Sequence, residues 1–343
     1  MNKVYIQSAA HISAQKPLSE EWMDNPVVYE GDSVKSIDLN YKEYLAPNVA
    51  RRMGKLLKRA LVCARMAMKR AKVEMPDAII TATGLGCIEN TEHFLDAMTR
   101  EGETLLNPTP FMQSTHNTIG SSIALDIKCH GYNSHYSQKH TSFDCALQDA
   151  FIQFQNGKIQ TALLNAHDES SSVFDSILQH IDCWHFENGG FKGETAISMA
   201  LGNQPTPETL CRMEDMMICY RPTMPVLQKE LQKLLERNGL TIHDLDAVFI
   251  GVNGNAENDN VYYACTETLF PNLPLARYKH LFGEHFTMSG IGFYVVATCL
   301  QQGRLPEHLL LAKENPAKQV KCIVLYNHSE NRDHSMILLS NKK

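Results

Sequence analysis

This chain repeats itself, and the repeat is what most constrains its fold. A helical segment from about Val49 to Lys72 carries Met53, Leu56, Leu57, Ala60, Leu61, Ala64 and Met68 at helical spacing. It leads into the apolar strand Asp77-Ala78-Ile79-Ile80-Thr81, a Gly84-Leu85-Gly86 turn and a helix through Thr91 to Met98. The same order returns as a helix from Val226 to Asn238, the strand Asp246-Ala247-Val248-Phe249-Ile250, a turn at Asn253-Gly254-Asn255 and a helix through Tyr262 to Thr268. The two Asp-Ala pairs stand 169 residues apart (246 − 77), and so do His116-Asn117-Thr118 and His285-Phe286-Thr287 (285 − 116). Each half closes on an apolar strand with a polar end, Ala162 to His167 and Ile323 to His328. A returning strand follows each, Ala196 to Leu201 and Met336 to Leu339. An internal duplication sets the architecture. Helices alternating with buried strands predict an α/β fold with mostly parallel sheets, in two halves at 1–205 and 206–343.

Composition narrows the partners. A net charge of −6 argues against nucleic acid, because phosphate binding needs a basic field. No apolar run is long enough to span a bilayer or to serve as a secretion signal, which leads us to expect a cytoplasmic chain. The ten cysteines show neither CxxC pairs nor metal-ligand spacing and read as reduced thiols, mostly in the core; no metal or bound cofactor is expected.

Several short stretches carry a closer resemblance. These are Arg51-Arg52-Met53, Thr83-Gly84-Leu85-Gly86, Asn107-Pro108-Thr109-Pro110-Phe111, and Gly131-Tyr132-Asn133 followed by a helix through Asp149-Ala150. Lys279 with Gly283 before a glycine-containing helix completes the set. Together they resemble β-ketoacyl synthases of the thiolase superfamily, and the run Gln113 to Thr118 is similar to the ketosynthase-like proteins of aryl polyene and flexirubin pigment pathways. The resemblance implies a thiolase-like fold, two pseudo-symmetric α/β halves in αβαβα layers.

The same resemblance implies a thiolate at a helix N-terminus, two imidazoles and an oxyanion hole built partly from a glycine loop. Counted from Gly131, the nucleophile position holds His140; Cys145, five residues on, is expected inside the helix, more than a turn from its start. The first imidazole position holds Asn255 and the second Glu284. His285 is adjacent, and its match with His116 points to a repeat-structural role for both histidines. The glycine loop is replaced by Asn327 to Asp333, which has no glycine.

The resemblance therefore implies a subunit of the chain-length-factor type, paired with an active ketosynthase or with itself and served by an acyl carrier protein bearing the acyl-phosphopantetheine. Phe111, Met112, Gln113 and His116 are the candidates for the interface or the acyl tunnel; filling of the chain's own core is the other role open to Phe111 and Met112. Arg51, Arg52, Lys55 and Arg59 are candidates for carrier-protein contact, against the plainer reading of a solvated helix face. A different class also stays open: a stand-alone acyltransferase or hydrolase using His140, Glu284 and His285, if these three converge.

Overall fold

The computed structural model describes residues 2–341 apart from 52, 105, 182–183, 188 and 313–318. The first half runs β1 (Val4–Ile12), α1 (Pro47–Ala50), α2 (Lys55–Ala71), β2 (Ala78–Ala82), α3 (Ile88–Glu101), α4 (Pro108–Ser114) and α5 (Thr118–Ile127). It continues with β3 (Tyr132–Tyr136), α6 (Ser142–Gln155), β4 (Thr161–Asp168), α7 (Ser172–His180) and β5 (Thr195–Gly202). The second half runs β6 (Cys211–Tyr220), α8 (Met224–Arg237), β7 (Ala247–Ile250), α9 (Ala256–Leu269), β8 (Leu275–Arg277), α10 (Lys279–Phe282), α11 (Met288–Gln302), β9 (Cys322–Ser329) and β10 (Asp333–Ser340).

The strands join in the order β3-β2-β4-β5-β1-β6-β10-β9-β7-β8. Read outward from the β1–β6 seam, the two halves have the same order, so the duplication is a pseudo-two-fold of the fold. The strands β3, β2 and β4 run parallel, as do β8, β7 and β9. The ladders from β4 through β5, β1, β6 and β10 to β9 are antiparallel. The expectation of mostly parallel sheets is corrected: the sheet is mixed, because β5 and β10 return beside β4 and β9 and three antiparallel ladders carry one half into the other.

Side-chain alternation sorts the apolar runs into layers. Along β4, Ala162, Leu164 and Ala166 face a central core, while Leu163 faces an outer one under α2 and α5. Along β9, Ile323 and Leu325 face the same central core, and Val324 and Tyr326 face a third core under α8 and α9. The central core holds α6 and α11, which gives five layers, αβαβα. Helix α11 is buried from Met288 through Leu300, and its first turns are small because neighbours are close. A Cβ on Gly290 would lie 2.8 Å from Ala166, and one on Gly292 2.7 Å from Tyr278.

Two further expectations change. The helix over Val49 to Lys72 is broken: α1 ends at Ala50 and α2 starts after Gly54, whose extended backbone (ψ 169°) separates them and leaves Met53 outside. His116 and His285 are not repeat equivalents. His116 precedes α5, whereas His285 precedes α11, the counterpart of α6. The topological partner of the His285 segment is the turn holding His140.

Candidate functional site

The site forms where the ends of β4, β7 and β9 meet the turns that open α6 and α11. His140 lies in a short turn (Lys139–Thr141) directly before α6. Its ring packs edge-on to Phe286 at 4.8 Å between centroids and against Trp184 at 5.7 Å. Lys279 opens α10, and Glu284 follows that helix across Gly283, whose φ of +84° only glycine adopts readily. Glu284 is clamped by its own backbone: its amide donates to Phe191 O at 2.8 Å, and its carbonyl accepts from Gly193 N at 2.9 Å. Its Oε2 accepts from Lys279 Nζ at 2.6 Å and Asn253 Nδ2 at 2.7 Å. Burial opposes ionisation of Glu284, but Lys279, His140 and Asn253 outweigh it and hold the carboxyl below its ordinary range. Burial lowers the His140 pKa, so its imidazole is neutral near pH 7.

Asn255 caps α9, its side chain accepting from Asn258 N at 2.9 Å and donating to His185 O at 3.0 Å. His140, Asn255, Lys279 and Glu284 line one cavity of about 430 Å³, walled by Trp184 and Phe186. The positions 140, 255 and 284, chosen from sequence, therefore converge. His285 does not join them. Its Nε2 pairs with Thr195 Oγ1 at 2.9 Å, and its Nδ1 stands 3.8 Å from Asp168. A three-residue cluster of His140, Glu284 and His285 is thereby corrected: consecutive residues here face opposite sides of the chain, and Glu284 is already paired to Lys279.

Cys145 is the fourth residue of α6, closer to the helix start than expected. Burial, with Asp144 and Asp333 nearby, still pushes its thiol up to about 11, the opposite of what a nucleophile needs. The glycine-free segment is a tight hairpin between β9 and β10, with Glu330 and Asn331 at positive φ. Its Arg332 amide is committed to Ser329 O and its Asn331 amide to His328 Nδ1.

The remaining candidates divide. Arg59 is corrected from a surface contact to a core residue: it is 2% exposed, 2.9 Å from Glu194 and 2.8 Å from Asp38. It lies on the inner side of α2, which its charge alone did not reveal. Arg52 lies outside the described residues. Arg51 and Lys55 are exposed and line a cleft of about 480 Å³ with Asn107 and Gln113; Lys55 sits 3.7 Å from Glu89. Phe111 and Met112 are 55% and 67% exposed, and His116 is exposed beside them. Filling of the chain's own core is thus not their role. They sit on α4, on the same half as the edge strand β3.

Sequence reasoning passed over Asp168, Asn253 and Trp184. Asp168 ties the halves together, accepting from Thr83 Oγ1, Gly84 N and Leu85 N on one side and from Thr287 N and Oγ1 on the other. An acid ending an apolar strand was the available clue.

The family model for the β-ketoacyl synthase N-terminal domain matches residues 20–233, and the chain belongs to the β-ketoacyl synthase family. Solved structures agree in fold. The ishigamide ketosynthase/chain length factor superposes with a TM-score of 0.83 at 13% identity, all of both chains being covered. A β-ketoacyl synthase from Burkholderia phymatum STM815 gives 0.83 at 14%, again over all of both chains. The ketosynthase ApeO in complex with its chain length factor ApeC, from Xenorhabdus doucetiae, gives 0.79 at 11%, covering 99% of this chain and 98% of that one. No curated protein matches the sequence. Among the described residues no helix is long and apolar enough to cross a membrane.

Proposed function

We propose that this chain is the non-condensing member of a ketosynthase pair, a chain-length-factor-type subunit for polyene or polyketide elongation on an acyl carrier protein in the cytoplasm. The observation that carries the reading is His140. On the count from Gly131, His140 takes the place of the family's thiolate; its imidazole is packed on Phe286 and Trp184, and Cys145, five residues on, has its pKa raised. Glu284, in the place of an imidazole, is neutralised by Lys279 and has no proton-transfer partner in His285.

Such a subunit needs a fold and a surface for its partner. Exposed Phe111 and Met112 on α4, with His116 and Gln113 next to them, supply apolar surface for an active ketosynthase or a second copy, and would border the growing chain. Arg51 and Lys55 would meet the acidic carrier protein. The division into halves at 205/206 belongs to the same reading, with the segment before β6 as the joint.

The test is reconstitution with an active ketosynthase subunit, by size exclusion and elongation on an acyl carrier protein, each subunit alone and together. A one-to-one complex that elongates only when both are present supports the reading. Turnover by this chain alone overturns it.

A further inference from the structure

Most polar groups around the His140 cavity are spent on one another. Asn253 holds Glu284 and accepts from the Asn255 amide, Asn255 caps α9, and Asn258 donates to Asn253 and Asp259. Glu284 and His140 each keep a free acceptor. Glu284 Oε1 is buried and has no hydrogen-bond partner among the described residues, while its other oxygen serves both Lys279 and Asn253. The ring nitrogens of His140 make no hydrogen bond to a described residue, and the neutral ring keeps a free lone pair. A buried carboxylate oxygen without a donor is rare in a finished structure and marks a place for one.

We propose that this cavity binds the ammonium group of a small primary amine, with N–H donors directed to Glu284 Oε1 and to the His140 ring and the apolar body lying against Trp184 and Phe186. Three features select this class. An ammonium group carries several donors, enough for both free acceptors, whereas an alcohol brings one. Aromatic faces attract a cation and do not penalise its alkyl part. Glu257 and Glu330 also line the cavity, and the one lining cation among the described residues, Lys279, is already paired with Glu284, so the lining is net acidic and disfavours an anionic ligand. A volume of about 430 Å³ accommodates a ligand of benzylamine size. Among the described residues no group of three or more His, Cys, Asp or Glu is placed to hold a metal ion instead.

The inference rests on the reading that the cavity does not condense acyl groups. It is tested on the full chain by calorimetry and by Trp184 fluorescence; Trp22 is 1% exposed and bonded to Tyr294, so it is a poor reporter. The probes are benzylamine, benzyl alcohol and phenylacetate at constant ionic strength. Saturable benzylamine binding, at least about tenfold tighter than benzyl alcohol and with phenylacetate weakest, is the expected result. Glu284→Gln should weaken the amine by a further factor of about ten. Because that change leaves Lys279 unpaired and can unfold the chain, His140→Phe is the second variant; it keeps the ring volume, removes an acceptor and should weaken the amine selectively. Equal affinity for amine and alcohol, or amine binding that His140→Phe leaves unchanged, overturns the proposal. Complex formation with a ketosynthase is read separately by size exclusion, so a chain that pairs but ignores amines refutes this inference alone.

Discussion

Lys279 Nζ lies 2.6 Å from Glu284 Oε2 with the two side chains only 9% and 3% exposed, so an ion pair is sealed inside the wall of the cavity. Breaking such a pair strands a charge, whereas replacing both partners by apolar groups of similar shape does not. Glu284→Leu and Lys279→Met should each destabilise the chain by about 3–5 kcal/mol, and the Lys279→Met/Glu284→Leu double variant by much less than their sum. Urea denaturation of the four proteins measures the coupling. Additive losses would mean that the pair is not coupled in solution.

Cys145 offers a direct reading of whether any thiolate exists at the start of α6. With its pKa pushed up to about 11, only a small fraction ionises at pH 7.5. Iodoacetamide should alkylate it more slowly than free glutathione, the rate should still be climbing at pH 9, and Cys145→Ser should leave elongation by a reconstituted pair unchanged. Site-resolved mass spectrometry follows the first, and burst labelling of Cys145 at neutral pH would contradict the assignment.

The layers were legible because strands buried on both faces write themselves as continuous apolar runs, as in Ala162 to Ala166 and Ile323 to Tyr326. The positions 140, 255 and 284 were legible as departures from a pattern. What escaped was set by partners far along the chain. Arg59 looked solvated until Glu194, 135 residues later, took its guanidinium into the core. His285 looked available until Thr195 claimed it. Gly84 read as an ordinary turn glycine, yet a Cβ there would fall 2.2 Å from Phe286 across the interface of the two halves. The 169-residue match of His116 and His285 was coincidence, since a repeat with unequal loops keeps its offset only locally.

Phe111 and Met112 decide between a docking surface and an inert one. Both are more than half exposed, so Met112→Glu with Phe111→Ser should change stability by no more than about 1 kcal/mol while abolishing assembly with a ketosynthase. Phe111 does rest on Phe94 at 5.1 Å between centroids, and a small loss from that contact is expected. Bulky replacements at His116 should instead keep the complex and shorten its products. An intact complex from the double variant, shown by size exclusion, would move the interface elsewhere.

Acid should unfold this chain early, because several histidines are buried neutral. Burial lowers His11 to about 4 and His167, His280 and His328 to about 3, while the unfolded chain titrates near 6.5. As pH falls below 6.5 the unfolded state gains protons that the native state refuses, and stability drops. Two carboxyls work the other way: burial raises Asp144 to about 6 and Glu169 to about 7, so from there down to about pH 4 the native state holds two protons that the unfolded chain has not yet taken up. Those four histidines against two carboxyls leave a net difference of about two protons, and His140, His308 and His334, also lowered by burial, add to it, so the loss is at least roughly 2–3 kcal/mol per pH unit between pH 6 and 4.5. Urea midpoints across that range test the slope. His167 has neither ring nitrogen hydrogen-bonded among the described residues, so a His167→Phe or His167→Leu variant should flatten the slope by about one proton without lowering stability at pH 7.5 by more than about 1–2 kcal/mol. A slope unchanged by that substitution would place the acid sensitivity in other groups.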